Sequence, residues 1–319
     1  IRPFEVVTRV GGLPRPGALD PTPFLAPFFF VFFGLSLGDA GYGIVLSLLS
    51  LWLVQRANTV GMGRQLMYLM AICGLGAVGA GILTGSWFGD LFGIPPLWCS
   101  PMDNPLPMLI LSIGLGIVQI FAALGIKAYD NIRKGHVLDA FFDQGFWVVF
   151  LSGLILLLIG GRLPQLPNAG TVGGYVAIVG AAGLILTQGR HQANPIKRLF
   201  SGILSLYDVS GYMSDALSYS RLLALGMAGG VIGMVLNDIG RRLFAIPVVG
   251  WLMCIAVLVV GHLLNLLINL ISAYVHASRL QYVEFFTKFL EAGGKPFRPL
   301  SERHRYLVVQ PDAAPSSER

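Results

Sequence analysis

Two arginines stand where an apolar chain should not keep them. Arg221 lies in the stretch LSYSRLLALGMA and Arg279 in AYVHASRLQYVEFF. An arginine near the centre of a bilayer costs about 2.5–3.5 kcal/mol even on the lenient insertion scale. Its guanidinium stays protonated, so it does not escape that cost by losing its charge. The bland reading is that each side chain snorkels to an interface or pairs within a bundle. Arg279 is near one end of its apolar run and could snorkel. Arg221 has 12 residues of its run before it and 16 after it, so it is deep and reads as functional.

A polar seam leads to Arg279. His262, Asn265, Asn269, Ser272, His276 and Arg279 recur at spacings of 3, 4, 3, 4 and 3. At about 100° per residue these six share a helical stripe roughly 100° wide. The rest of that run is Leu, Ile, Val and Ala, so the seam must face protein or water rather than lipid. Interhelical hydrogen-bond glue is the structural alternative. Six members with two titratable histidines favour a hydrated ion path. The preceding run has its own stripes: Ser214, Ser218 and Arg221 share one face, Asp208 and Asp215 another. Acidic groups thus approach the arginines from one side, amides and imidazoles from the other. Two approaches that stop at a fixed positive charge describe two half-channels; a simple pore needs one continuous path.

The elements that position these residues follow from composition. Of 319 residues, 55% are hydrophobic and 12% charged, with 41 glycines and a mean hydropathy of +0.71. A soluble domain carries roughly 25% charged residues. A water-soluble enzyme is therefore excluded in favour of an all-α polytopic membrane protein. Cys73, Cys99 and Cys254 are too scattered for a disulfide framework or a zinc site, no phosphate-binding GxxxxGK[ST] loop occurs, and no cofactor is implied.

Apolar runs fall near 24–54, 65–89, 106–126, 141–161, 171–187, 209–237 and 246–283. Connecting segments alternate between basic-rich and basic-poor, which the positive-inside rule reads as cytoplasmic and external. Segment 90–105, for example, holds no Lys or Arg, whereas 127–140 holds Lys127, Arg133 and Lys134. Arg2, Arg9 and Arg15 favour a cytoplasmic start, and the basic tail favours a cytoplasmic end. Only Arg241 and Arg242 are discordant. An even number of passes makes the first run a hairpin turning at Gly38-Asp39, giving eight transmembrane helices. The last two are expected to be long and strongly tilted. The net charge of +6 thus sets topology and is no sign of a nucleic-acid partner.

Three stretches resemble a known family: DPTPFLAPFFFVFFGLSLGDAGYG (20–43), LYDVSGYMSDALSYSRLLALGMA (206–228) and HASRLQYVEFFTKF (276–289). They are similar to the membrane half of subunit a, or subunit I, of rotary V/A-type ATPases and ATP synthases. The resemblance implies a non-catalytic stator subunit in a prokaryotic plasma membrane. Its partners are a rotating proteolipid ring with a membrane carboxylate, peripheral stalk subunits and the central-stalk base. It implies a cytoplasmic segment 1–23 ending an N-terminal domain that this chain lacks. A transmembrane domain over 24–290 and a cytoplasmic tail over 291–319 follow. Arg221 and Arg279 match the family's arginine pair, which attracts the ring carboxylate in its ionised form. Asp208 and Asp215 match acids of the cytoplasmic half-channel, with Glu284 a further candidate. Asn269, Ser272, His276 and Asp39 match positions of the outer half-channel. Some eukaryotic relatives carry a glutamate in place of Asn269, which leaves His262 and His276 as outer titrating groups. Gln281 adds a hydrogen-bonding group near the arginines, off the phase of the seam. The rival functions are a secondary ion-coupled transporter, which would need two related halves with broken helices, and a scaffold whose arginines only pair internally.

Overall fold

The computed structural model describes residues 1–56, 61–161, 168–190, 195–290 and 293–294. A short 3₁₀ turn, Arg2–Phe4, leads into α1 (Glu5–Gly11). The helices α2 (Thr22–Leu37) and α3 (Ala40–Arg56) form a hairpin, followed by α4 (Met62–Thr84) and α5 (Leu106–Arg133). Then α6 (Val137–Asp139) passes through a π-helical turn, Ala140–Gly145, into α7 (Phe146–Gly160), which packs on α8 (Ala169–Gln188). The long elements are α9 (Pro195–Ser218), α10 (Ser220–Phe244) and α11 (Gly250–Arg279). A second π-helical turn, Leu280–Phe286, joins α11 to α12 (Thr287–Phe289).

The reading of eight transmembrane helices is corrected. Among the described residues six helical stretches are long and apolar enough to cross a membrane. They are Met62–Thr84, Leu106–Arg133, Val137–Gly160, Ala169–Gln188, Phe200–Phe244 and Gly250–Phe289. The first apolar run does break into a hairpin at Gly38-Asp39, but its helices have only 16 and 17 residues. At 1.5 Å per residue they reach about 24–26 Å, short of a core about 30 Å thick. Much of the apolar character of α2 serves the protein interior, whereas α3 keeps Leu48, Leu49 and Trp52 exposed. Phe29, Phe32 and Phe33 of α2 are fully buried in the main core with Tyr219, Leu222, Ala273, Ala277 and Phe285. Hydropathy counts apolar residues without asking what they face.

Local chemistry explains the turn. Gly38 takes a left-handed conformation (φ 58°) that closes α2. Asp39 then caps α3, its Oδ1 accepting the Tyr42 N–H at 3.0 Å. Close backbone approach fixes the hairpin: a Cβ on Gly34 would sit 2.6 Å from the carbonyl carbon of Gly76 in α4. Farther away, Arg190 after α8 holds Asp143 through both guanidinium ends, at 2.7 and 2.9 Å, and reaches Asp139 at 2.7 Å. Those bonds hold its pKa above the ordinary arginine value, the Asp143 hydrogen bond contributing most.

Two irregularities bear on the arginines. The helical stretch Phe200–Phe244 breaks at Tyr219, which is fully buried, so Arg221 lies in the first turn of α10. The π-helical turn begins directly after Arg279 and shifts the phase of everything beyond it. The tail assigned to 291–319 lies outside the described residues, apart from 293–294.

Candidate functional site: the arginine pair and its two approaches

The last turn of α11 and the first turn of α10 bring charged groups together. Arg221 and Arg279 both lie within electrostatic range of His276 and Glu284. Arg279 is exposed, flanked on its helix face by exposed Val275 and Val283. Arg221 is half-buried. Four buried polar atoms here have no hydrogen-bond partner among the described residues: Arg221 Nη1, His276 Nδ1, Gln281 Nε2 and Glu284 Oε2. Each such atom costs roughly 1–3 kcal/mol when left unpaired. Their clustering marks a place built to receive water or a polar partner.

The π-helical turn supplies two of the four. In a regular α-helix Gln281 falls off the seam, but the wide turn carries it and Glu284 inward, to 0% and 2% exposure. Gln281 Oε1 accepts from Gln119 Nε2 at 2.7 Å, and Gln119 Oε1 accepts from the Tyr219 hydroxyl at 2.7 Å. The residue at the helix break is thereby tied to the residue in the π-helical turn, and both flank the arginines.

On the α9 side, Asp215 pairs with Lys288, whose ammonium also sits 4.3 Å from the centre of the Tyr212 ring. Asp208 is exposed and lines a cavity with Tyr207, Ser210, Tyr212 and Lys288. It is not drawn up to the arginines: thirteen residues of helix separate it from Arg221, about 20 Å.

The other side is hydrogen-bonded nearly throughout. Asp39, 1% exposed, accepts from the Tyr42 and Phe88 N–H groups at 3.0 Å, the Gly89 N–H at 2.8 Å and the Ser86 hydroxyl at 2.7 Å. Its carboxylate clamps the loop after α4 to the hairpin turn. Next to it, the Tyr42 hydroxyl meets His262 Nδ1 at 2.7 Å, and His262 Nε2 meets Asn237 Oδ1 at 2.9 Å. Asn265 donates to the Tyr42 hydroxyl oxygen at 2.8 Å, and Asn269 donates to Asn265 Oδ1 at 2.7 Å. Ser272 is half-buried and lies between this network and His276.

Asn237 also donates to Asp90 Oδ1 at 2.9 Å, and Arg241 reaches Asp90 Oδ2 at 3.1 Å. Burial works against ionisation of Asp90, but these bonds outweigh it and hold its carboxyl below the ordinary range. The discordant basic pair is thus locally neutralised, Arg241 by Asp90 and Arg242 by Asp238.

Comparison with known proteins decides the family. The chain is 32% identical over 344 residues to A-type ATP synthase subunit I of Methanocaldococcus jannaschii, covering 97% of this chain and 49% of that protein. It is 30% identical to A-type ATP synthase subunit I of Methanothermobacter thermautotrophicus, covering 97% and 45%. This chain belongs to the subunit I family of A-type and V-type ATP synthases. A bacterial member, V-type ATP synthase subunit I of Borreliella burgdorferi, is 27% identical, covering 86% of this chain and 48% of its own. The chain spans about half the length of the curated relatives it matches. No family model matches it.

In this subunit I family member, sequence reasoning missed Tyr42, Gln119, Tyr219, Asn237 and Lys288. Asn237 was visible as a lone amide at the end of an apolar run. Lys288 was visible four residues after Glu284, but served only as a topology charge. Tyr42, Gln119 and Tyr219 acquire meaning only from partners 220, 162 and 100 residues away.

Proposed function

We propose that this chain is the stationary, non-catalytic membrane subunit that carries ions past the proteolipid ring of a V/A-type ATP synthase. Arg221 and Arg279 face the ring carboxylate and attract its ionised form. Asp208, Asp215, Lys288 and Glu284 line the approach from the cytoplasm. His262, Asn269, Ser272 and His276 line the approach from outside, beneath a loop pinned by Asp39. The ring lies against the exposed apolar faces of α10 and α11, where exposed Arg279 is flanked by Val275 and Val283. Both ends are cytoplasmic, as six crossings allow, in a prokaryotic plasma membrane. Residues 1–23 continue from an N-terminal cytoplasmic domain that contacts the stalks, and ATP chemistry resides in other subunits.

The observation that carries this reading is the set of buried atoms on Arg221, His276, Gln281 and Glu284 that have no hydrogen-bond partner among the described residues. A scaffold would pair its arginines internally, and buried charges left open at that density serve a transient partner. Replacing Arg221 with Ala in the assembled complex tests it. Ion transport is expected to vanish while the ring and stalks still co-purify. Retained transport, or loss of assembly instead of transport, sinks the proposal.

A further inference from the structure

The network beside Asp39 has one arrangement of donors, and working it out points to a specific role for two of its members. Asn237 Nδ2 faces two acceptors, the Phe88 carbonyl at 2.8 Å and Asp90 Oδ1 at 2.9 Å. Both amide hydrogens are used there, so Oδ1 must face His262. An amide oxygen only accepts, so His262 Nε2 carries a hydrogen. In the neutral ring Nδ1 is then a lone pair, and the Tyr42 hydroxyl donates to it. Asn265 Nδ2 likewise faces two acceptors, the Tyr42 hydroxyl oxygen at 2.8 Å and the Gly229 carbonyl at 3.1 Å. Its Oδ1 is left to take the Asn269 N–H. Asn237 and Asn265 are each fixed by three bonds. Between them, the Tyr42 hydroxyl is free to reverse its direction.

The Nδ1 lone pair of His262 meets the Tyr42 hydroxyl, so a proton relayed along this network reaches the ring at that contact. His262 is half-buried and lies 5.7 Å from the Phe88 ring. The charged groups facing it are Asp39 from the hairpin turn and, through Asn237, Asp90 and Arg241. Among the described residues, Tyr42 from α3 is the other titratable group against it. Asp90 also lines a cavity of about 250 Å³ between the loop after α4 and α10, reaching Leu223 and Gly226 beside the arginine turn. On the seam, Asn269 offers an amide and takes no proton.

We propose that His262 and Tyr42 together form the outer proton acceptor of this subunit, with Asn237 as the positioning residue that fixes the histidine tautomer. A hydronium ion gives its proton to the Tyr42 oxygen as the hydroxyl's own proton passes to His262 Nδ1. Water is released, Tyr42 stays neutral and the imidazole becomes imidazolium. The hydroxyl reverses, its oxygen now accepting from both His262 Nδ1–H and Asn265. Return of the proton through the same oxygen to a water on the Ser272 side restores the neutral ring. This rests on the ion-path reading given above and assigns the outer titrating group within it.

The test uses the assembled complex with its ring in sealed vesicles, with outer pH varied at fixed pH on the other side. His262→Gln keeps a donor for Asn237 and an acceptor for Tyr42 but binds no proton. It is expected to assemble and to lose the dependence of proton flux on outer pH. Tyr42→Phe deletes one oxygen and is expected to lower the flux by about tenfold or more, the scale of a lost proton-transfer group. Wild-type flux and an unchanged outer-pH profile in either variant overturn the inference, since a purely structural role is met by glutamine. If His262→Gln fails to assemble, Tyr42→Phe decides alone. Arg221→Ala, run alongside, separates the two levels. Flux surviving in that variant breaks the ion-path reading itself, whereas normal flux confined to the His262 and Tyr42 variants breaks only this assignment.

Discussion

Asp39 and Glu284 are both buried carboxylates, 1% and 2% exposed, in opposite parts of the same bundle. Around Asp39 four donors from the hairpin and the loop after α4 close on the two oxygens. Around Glu284 there are two arginines within electrostatic range, an unpaired Oε2, and no hydrogen-bond donor to that atom among the described residues. A carboxylate with every lone pair engaged is an anchor, because its loss releases several groups at once. A carboxylate in a field of cations with an oxygen to spare is poised for exchange. Burial and residue type are the same, and the count of donors separates the roles.

That comparison can be broken experimentally. The largest expected effect is Asp39→Ala, which strands four donors inside the protein. Removing one partner of a buried charged network costs about 3–5 kcal/mol, so the melting temperature of the purified complex should collapse and the loop after α4 should become protease-sensitive. An unchanged melting curve would make Asp39 something other than an anchor. Next comes Glu284→Gln. Transport should fall by about a hundredfold, the scale of a positioned acid–base group, with melting unchanged. If melting falls and transport per assembled complex survives, the two carboxylates have exchanged roles.

Smaller effects sharpen the boundary of the anchored region. Arg241→Ala removes an exposed ion pair with Asp90 and should cost at most about 1 kcal/mol, read as a melting shift of a few degrees or less. Asp90 is held below its ordinary pKa in the folded state. The stability it contributes is present above the unfolded value of about 3.9. It is lost only as pH falls through the lower folded value. The melting difference between the wild type and Asp90→Asn should therefore be flat from neutral pH down to about 4 and shrink below. A change in that difference between pH 5 and 7 would point to a histidine holding the loop.

The placement of the polar seam was legible because polar residues in an apolar helix stand out by their spacing. The seam from His262 to Arg279 could be read by spacing alone, since α11 is regular over that length. Legibility ended where the helix did: the π-helical turn after Arg279 changes the period, so Gln281 looked out of phase although it is fully buried. The break at Tyr219 left no breaker residue in the sequence. The number of crossings was overcounted for a different reason. The two helices of the first run are apolar enough to read as crossings, but at 16 and 17 residues they fall short of one. Tyr42 and Asn237 were hidden because a hydrogen-bond network between helices is not periodic in any one of them.

The buried face of α2 has a mechanical consequence. Its phenylalanines stand directly behind the turns that carry the arginines, Phe32 against Tyr219 and Phe28 against Phe285, with ring centres 5.5 and 5.8 Å apart. Interlocked aromatic interiors are nearly incompressible. A sideways push on the open face of α10 and α11 meets a backstop instead of yielding bilayer. The two charges are thereby held at a set depth and distance.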